Sequence, residues 1–344
     1  MSRASRVACS IDLDGPGRRV GYLGVSFSDD THAYGVIPVP IAVLAGGAGP
    51  TVLLTAGVHG DEYEGQIVLR RLLREIDPTT LSGRIILMPA VNLPAVRAAR
   101  RTSPLDGGNM NRAFPGGADS GPTAQIAHWI ETVLLPECDA ALDLHSGGRT
   151  AEYLPCSYVY EGGPCAVEKI ALARAFGAPI TVLVGSTAED RSLSAAAERA
   201  GIAMIAAEIA GGAAVSPPAL AIADAGTCAV LRHVGVMGGQ QAESERRTRL
   251  VRIPDRRHFV FCPRPGVVEP RAMPGDTVAA GDLAAVIHDL DDPAAQPTEV
   301  RFIAGGLVLV RRLPALAAAG DYLFTTGELV PEDDRNQSIR PAAA

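Results

Sequence analysis

His59 and Glu62, an imidazole and a carboxylate three residues apart in the text GVHGDEYEG (57–65), stand where an apolar strand gives way to an amphipathic helix. From such a turn both side chains can point at one ion. A second strand-end text, DLHSGG (143–148), supplies another imidazole, His145. Two histidines and one glutamate form a three-donor set that leaves a fourth position for water, as a catalytic zinc centre requires. Asp143 lies two residues before His145, on the same strand face, where it can hold the imidazole by its second nitrogen. A single H-x-x-E is a weak pattern, and a lone strand-end histidine is usually a satisfied polar residue. Two such strand ends together favour the metal. The other histidines (32, 128, 233, 258 and 288) lack this setting and read as surface or core residues. A third text, NMNRAFPG (109–116), places Asn111 and Arg112 in a long Gly-rich segment, 93–121. A guanidinium pairs with a carboxylate through two bonds, and a neighbouring amide adds a donor. Loops that long inside a compact domain are usually functional.

The elements that must position these residues alternate. The strand TVLLTAGV (51–58) precedes the amphipathic run EGQIVLRRLLREI (64–76), and RIILMPAVN (84–92) is the next buried strand. A helix is expected at 122–135, a strand into His145, then a helix near 166–176 and a strand at 179–185. A helix near 193–200, a strand at 201–209 and a helix near 218–236 follow. This order predicts an α/β fold with a mostly parallel or mixed sheet flanked by helices. Ligands of such sheets bind beyond the carboxyl ends of the strands, which is where His59 and His145 fall. Residues 1–50 read as a β lead-in packed on the main domain, 51–240 as the α/β hydrolase domain, and 251–335 as a small C-terminal β domain.

A chain of 344 residues buries enough surface to fold without a staple, so a metal here would serve chemistry. The net charge of −7 and the lack of a basic block argue against nucleic acid. The amino terminus lacks the apolar core of a signal peptide, and the charge-free text 209–223 is too broken and short to span a bilayer. No membrane partner is expected. Six cysteines without a C-x-x-C pair read as reduced thiols of a cytoplasmic protein. The text MPGDTVAAGDLAAVI (273–287) resembles the barrel-sandwich motif of biotinyl and lipoyl carriers. The chain's single lysine, Lys169, lies far from it, so the carrier chemistry fails. What remains is a β appendage that shapes the mouth of the site or supports oligomer contacts.

With GVHGDEYEG, NMNRAFPG, DLHSGG and AEIAGG (207–212) in this order, the chain resembles the succinylglutamate desuccinylase/aspartoacylase family of zinc carboxypeptidase-like amidohydrolases. The resemblance implies one zinc ion per chain, held by His59, Glu62 and His145, and a general base at Glu208. It implies that Asn111 and Arg112 bind the substrate's α-carboxylate. Family members usually carry another arginine shortly before the N-R pair, near the scissile carbonyl. Arg100 and Arg101 are the candidates, and Arg101 is taken, although the insert TSPLDGG changes the spacing. The implied reaction is hydrolysis of a small N-acyl amino acid. Within the family, GVHGDEYEGQ and DGGNMNRAFPG are most similar to members that deacetylate N2-acetyl-L-2,4-diaminobutanoate in ectoine breakdown. A substrate with a side-chain ammonium needs a facing carboxylate, for which Asp106 and Glu152 are the candidates. A homo-oligomer is expected. The rivals are another amidohydrolase of the same type, a metallocarboxypeptidase acting on peptides, and a binding protein that has lost turnover. Retention of three ligands with Glu208 speaks against the last.

Overall fold

The computed structural model describes residues 5–30, 33–185, 189–239 and 248–331. His32 and the last four residues of the expected 251–335 unit lie outside these. Strand Gly47–Ala56 pairs in parallel with Ser82–Met88 on one side and with Ala140–His145 on the other. Ala203–Glu208 continues the parallel order, and Cys156–Tyr160 reverses it. Ile180–Val184 and Arg249–Arg252 then follow parallel to their neighbours. The sheet is therefore mixed. Parallel neighbours need crossover connections, and helices such as Glu64–Glu75 and Ala166–Phe176 provide them.

All six residues of Ala140–His145 are buried. Its continuous apolar run is what coverage on both faces demands, in place of the alternation of a half-solvated strand. Leu142 and Leu144 pack on one face with Val68, Leu69 and Leu72 of helix Glu64–Glu75. Ala141 faces the other way, toward Trp129, Ile130 and Met204. The helix expected over 122–135 is α-helical only over Pro122–Trp129, then widens into a π turn, Ile130–Leu134. A 3-10 turn ends it at Pro136, which has no N–H to continue the ladder.

The lead-in hairpin, Gly17–Phe27 with Gly35–Ala45, joins the main sheet through antiparallel pairing with Ser82–Met88. At the other end Arg249–Arg252 receives Tyr322–Leu329, which pairs in turn with Gly306–Arg312. The main sheet thus runs on into the C-terminal region. A second, antiparallel sheet of four strands stands apart: Thr298–Arg301, Leu283–His288, Gly266–Pro270 and Leu316–Ala317. The short strand Ala151–Tyr153, just beyond His145, pairs with Gly306–Arg312 and fixes the C-terminal region beside the strand ends. Among the described residues no helix is long and apolar enough to cross a membrane.

Candidate active site

Three donors converge where strands Gly47–Ala56 and Ala140–His145 end. His59 Nδ1 lies 2.7 Å from Glu62 Oε1, and His145 Nδ1 lies 2.8 Å from Glu62 Oε2. All three side chains are buried, and their donor atoms lie within 4.8 Å of one another. The loop holding His59 can lie this close only because residue 60 is glycine, since a Cβ there would sit 2.0 Å from the backbone of Ala95. Gly60 N donates to Arg100 O at 2.9 Å, which docks the Arg100–Arg101 turn on the same loop.

The far nitrogens are also held. His145 Nε2 donates to Asp143 Oδ2 at 2.7 Å, and His59 Nε2 to Asn109 Oδ1 at 3.1 Å. Asp143 further accepts from Thr55 Oγ1 at 2.7 Å, its register partner on the neighbouring strand. With the Nε2 protons committed to these acceptors, both Nδ1 atoms turn lone pairs toward a carboxylate. Three electron-pair donors facing one point fit a cation at their centre, the arrangement a divalent metal satisfies. The proton affinities reflect the same demand. Burial lowers the basicity of His145, but Asp143 and Glu62 overcome it and hold its pKa well above the usual imidazole value. Burial keeps His59 below that value, with Glu62 offsetting only part. Burial works to raise Glu62, yet the two imidazoles pull it far below the carboxylate range. Asp143→Asn and Asn109→Ala, which leave the three donors in place and disturb the partners of their outer nitrogens, are expected to weaken metal affinity about 10- to 100-fold. Competition titration with a zinc-binding dye measures this, and unchanged affinity would deny these residues an orienting role.

Glu208 ends strand Ala203–Glu208 directly opposite His145 in the parallel register. Opposed residues of neighbouring strands share a face, so its carboxyl is delivered to the donor centre. Its Oε2 is sealed from solvent without a hydrogen-bond partner. Burial pushes its pKa well above the ordinary range, against the pull of His145. Arg101 stands on the same side, Nη1 3.4 Å from His59 Nδ1 and 3.7 Å from Glu62 Oε1. A cavity of about 530 Å³ opens here, lined by Arg101, Ser146, Tyr153 and Tyr158 on one side and by Phe259 and Tyr322 of the C-terminal region on the other. That volume suits a small molecule. Burial pushes the Tyr322 phenol up to about 12, against Arg312, and raises Tyr153 and Tyr158 well above the usual value. All three are neutral hydroxyls near pH 7.

Asn111 and Arg112 lie on the 3-10 turn Met110–Arg112, one residue beyond Asn109. Asn109 Oδ1 accepts from Asn111 N at 3.0 Å as well as from His59, so one side chain joins this turn to the donor centre. Asn111 Oδ1 accepts from Leu193 N at 3.1 Å, and Arg112 Nε lies 2.6 Å from Glu189 Oε2. The two acids proposed to meet an ammonium are engaged elsewhere, and this corrects the sequence reading. Asp106 accepts from Gly108 N, Thr123 N and Thr123 Oγ1 at 2.8–3.0 Å, tying the loop to the next helix. Glu152 pairs with Arg311 at 2.5 Å across the strand pairing into the C-terminal region. The sequence reading missed Asn109, Glu189, the tyrosines and Glu64. The buried Glu64 accepts from Ser146 Oγ at 2.6 Å, while Ser146 N donates to Glu62 Oε2 at 3.3 Å. An asparagine just before a short turn is the one local signal for Asn109, because its side chain caps that turn. Lys169 is fully buried in an ion pair with Glu198 and donates to Gly162 O at 2.9 Å.

A model of the succinylglutamate desuccinylase/aspartoacylase catalytic domain matches residues 48–234. The chain is 36% identical to the N-alpha-acetyl-L-2,4-diaminobutyric acid deacetylase of Halomonas elongata, over 95% of this chain and 96% of that protein. The product-bound structure of the ectoine utilization protein EutE (DoeB) from Ruegeria pomeroyi superposes with a TM-score of 0.91 at 36% identity, covering 95% of this chain and 99% of that one. A succinylglutamate desuccinylase/aspartoacylase structure from Rhodobacter sphaeroides gives 0.89 at 35% identity, covering 95% and 100%.

Proposed function

The chain belongs to the succinylglutamate desuccinylase/aspartoacylase family, and from that premise we propose that it is a zinc-dependent deacetylase hydrolysing N2-acetyl-L-2,4-diaminobutanoate to L-2,4-diaminobutanoate and acetate. The observation that carries the hydrolytic part is the unpartnered Oε2 of Glu208 on the face shared with the His59, Glu62 and His145 donors. The substrate is supported by the relatives named for diaminobutyrate deacetylation and ectoine utilization, which match along nearly the whole chain.

His59, Glu62 and His145 would hold one zinc ion, which when bound supplies a Lewis acid that polarises the amide carbonyl and acidifies water. Glu208, with its Oε2 sealed from solvent and its pKa raised, takes a proton from the attacking water and passes it to the departing amine. Arg101, with its guanidinium beside the donors, steadies the negative charge that grows on the carbonyl oxygen. Asn111 and Arg112 bind the α-carboxylate and set the amide's distance from Glu208. The C-terminal wall of the cavity, with Phe259 and Tyr322, narrows access to a small substrate. We place the enzyme in the cytoplasm, consistent with six unpaired cysteines. We also propose a homo-oligomer, supported by the exposed apolar side chains Val20, Tyr22 and Val36 on the lead-in hairpin.

Incubation with N2-acetyl-L-2,4-diaminobutanoate, N-acetylaspartate, succinylglutamate and a blocked dipeptide tests the assignment. Acetate release from the first alone is expected. Cleavage of the dipeptide would replace the reading by a peptidase, and preference for N-acetylaspartate or succinylglutamate would move the enzyme elsewhere in its family.

A further inference from the structure

Glu189 is surrounded unlike a solvated surface acid. Its Oε2 lies 2.6 Å from Arg112 Nε. Its carboxylate also accepts from Arg191 N, Nε and Nη2, at 3.1, 2.9 and 3.2 Å. Two further bonds dock its segment on the turn at 111–114, and a third holds it to the end of strand Cys156–Tyr160. Leu193 N donates to Asn111 Oδ1 at 3.1 Å, Phe114 N to Arg191 O at 3.2 Å, and the Tyr160 hydroxyl to Glu189 O at 2.9 Å. The place of this acid relative to Arg112 is therefore set by backbone contacts as well as by charge. Among the described residues, the next charges are Asp190, exposed and 3.9 Å from Arg191, and Arg199, whose Nη1 donates to Asp190 O at 2.7 Å.

Resting on the assignment of Arg112 to the substrate carboxylate, we propose that Glu189 determines which side-chain charge the site accepts, receiving a cationic side chain and turning away an anionic one. A carboxylate arriving at Arg112 competes with Glu189 for the same guanidinium. An amino acid carrying an ammonium two carbons beyond its α-carbon exchanges ion pairs one for one: its carboxylate takes Arg112, and its ammonium takes the place Arg112 held beside Glu189. The acid then keeps two cations, as it has now. A neutral side chain leaves it with Arg191 alone, and an acidic one sets two carboxylates side by side, which Coulomb repulsion opposes. Asp106 and Glu152 differ from Glu189 in their partners: theirs are Thr123 and Arg311, which the substrate carboxylate does not draw away, whereas Glu189 holds Arg112. Glu62 lies among the metal donors.

Steady-state kinetics of the full chain on three N-acetyl amino acids test the proposal: the 2,4-diaminobutanoate, its neutral isostere norvaline, and aspartate. Glu189→Gln is expected to lower kcat/KM for the cationic substrate about 10- to 100-fold, through KM, since a hydrogen bond to a charged group is lost. Norvaline turnover should not fall and its KM should drop, because the competitor for Arg112 is gone, so the preference between the two collapses, and Glu189→Asp should restore part of it. An equal loss on both substrates would overturn the proposal, because Glu189 would then only steady Arg112. So would an unaltered preference in Glu189→Gln, with the substrate assignment left standing. A wild-type enzyme that ignores the diaminobutanoate ends the assignment and this inference together, and that result is visible before any variant is made.

Discussion

Glu208→Gln lowers kcat by about 10²- to 10⁴-fold, the usual contribution of a positioned general base, and leaves the zinc content at the wild-type level. Glutamine keeps the shape of the side chain and its place opposite His145, so the fold and the donor set should survive. What it removes is a basic lone pair. The free Oε2 of Glu208 is buried without a donor to quench it, and burial raises its proton affinity. Both features move a carboxylate toward the basicity that proton transfer near neutral pH requires. A divalent cation nearby returns part of that rise, since positive charge favours the ionised form. Steady-state assays paired with metal analysis of the same sample check the expectation. Full activity would remove Glu208 from the chemistry. Loss of zinc along with activity would make it a fourth ligand instead of a base.

His59, Glu62 and His145 could be read from the chain because each lies within a few residues of a strand end, and strand ends are predictable from apolar runs. Asp143 was legible for the same reason: two residues along a strand return to the same face, and it does bond His145 Nε2. Asn109 acts through the way a loop folds over His59, fifty positions earlier in the chain, and nothing in local spacing announces that contact. Glu189 meets Arg112 only because the segment at 189–193 docks on the turn at 111–114, a pairing of distant loops. Asp106 and Glu152 show the converse. Each was a candidate to face an ammonium, whereas their carboxylates serve a helix start and a strand pairing. The C-terminal region was legible as β, but the register of Tyr322–Leu329 against Arg249–Arg252 depends on partners more than seventy residues apart. That register brings Tyr322 to the cavity wall.

His145→Ala is expected to abolish both zinc retention and turnover, and the structure says how to separate this from simple unfolding. The substitution removes one of three donors and also strips Asp143 Oδ2 of its partner, leaving Thr55 on Oδ1 as its remaining bond. Leaving a buried carboxylate without its imidazole partner costs the fold roughly 3–5 kcal/mol, against a total stability of about 5–15 kcal/mol. The variant should still fold. Adding Asp143→Asn to it relieves the stranded charge without restoring a donor, so the double variant should regain stability but not metal. Thermal melts with and without added zinc give the decisive reading. Zinc at one hundred times its dissociation constant stabilises a binding-competent chain by about 2.7 kcal/mol, so the wild type should melt higher with the ion present. Neither variant should move. A zinc-dependent rise in the melting temperature of His145→Ala, equal to that of the wild type, would mean that the ion is held without this imidazole and that the donor set lies elsewhere.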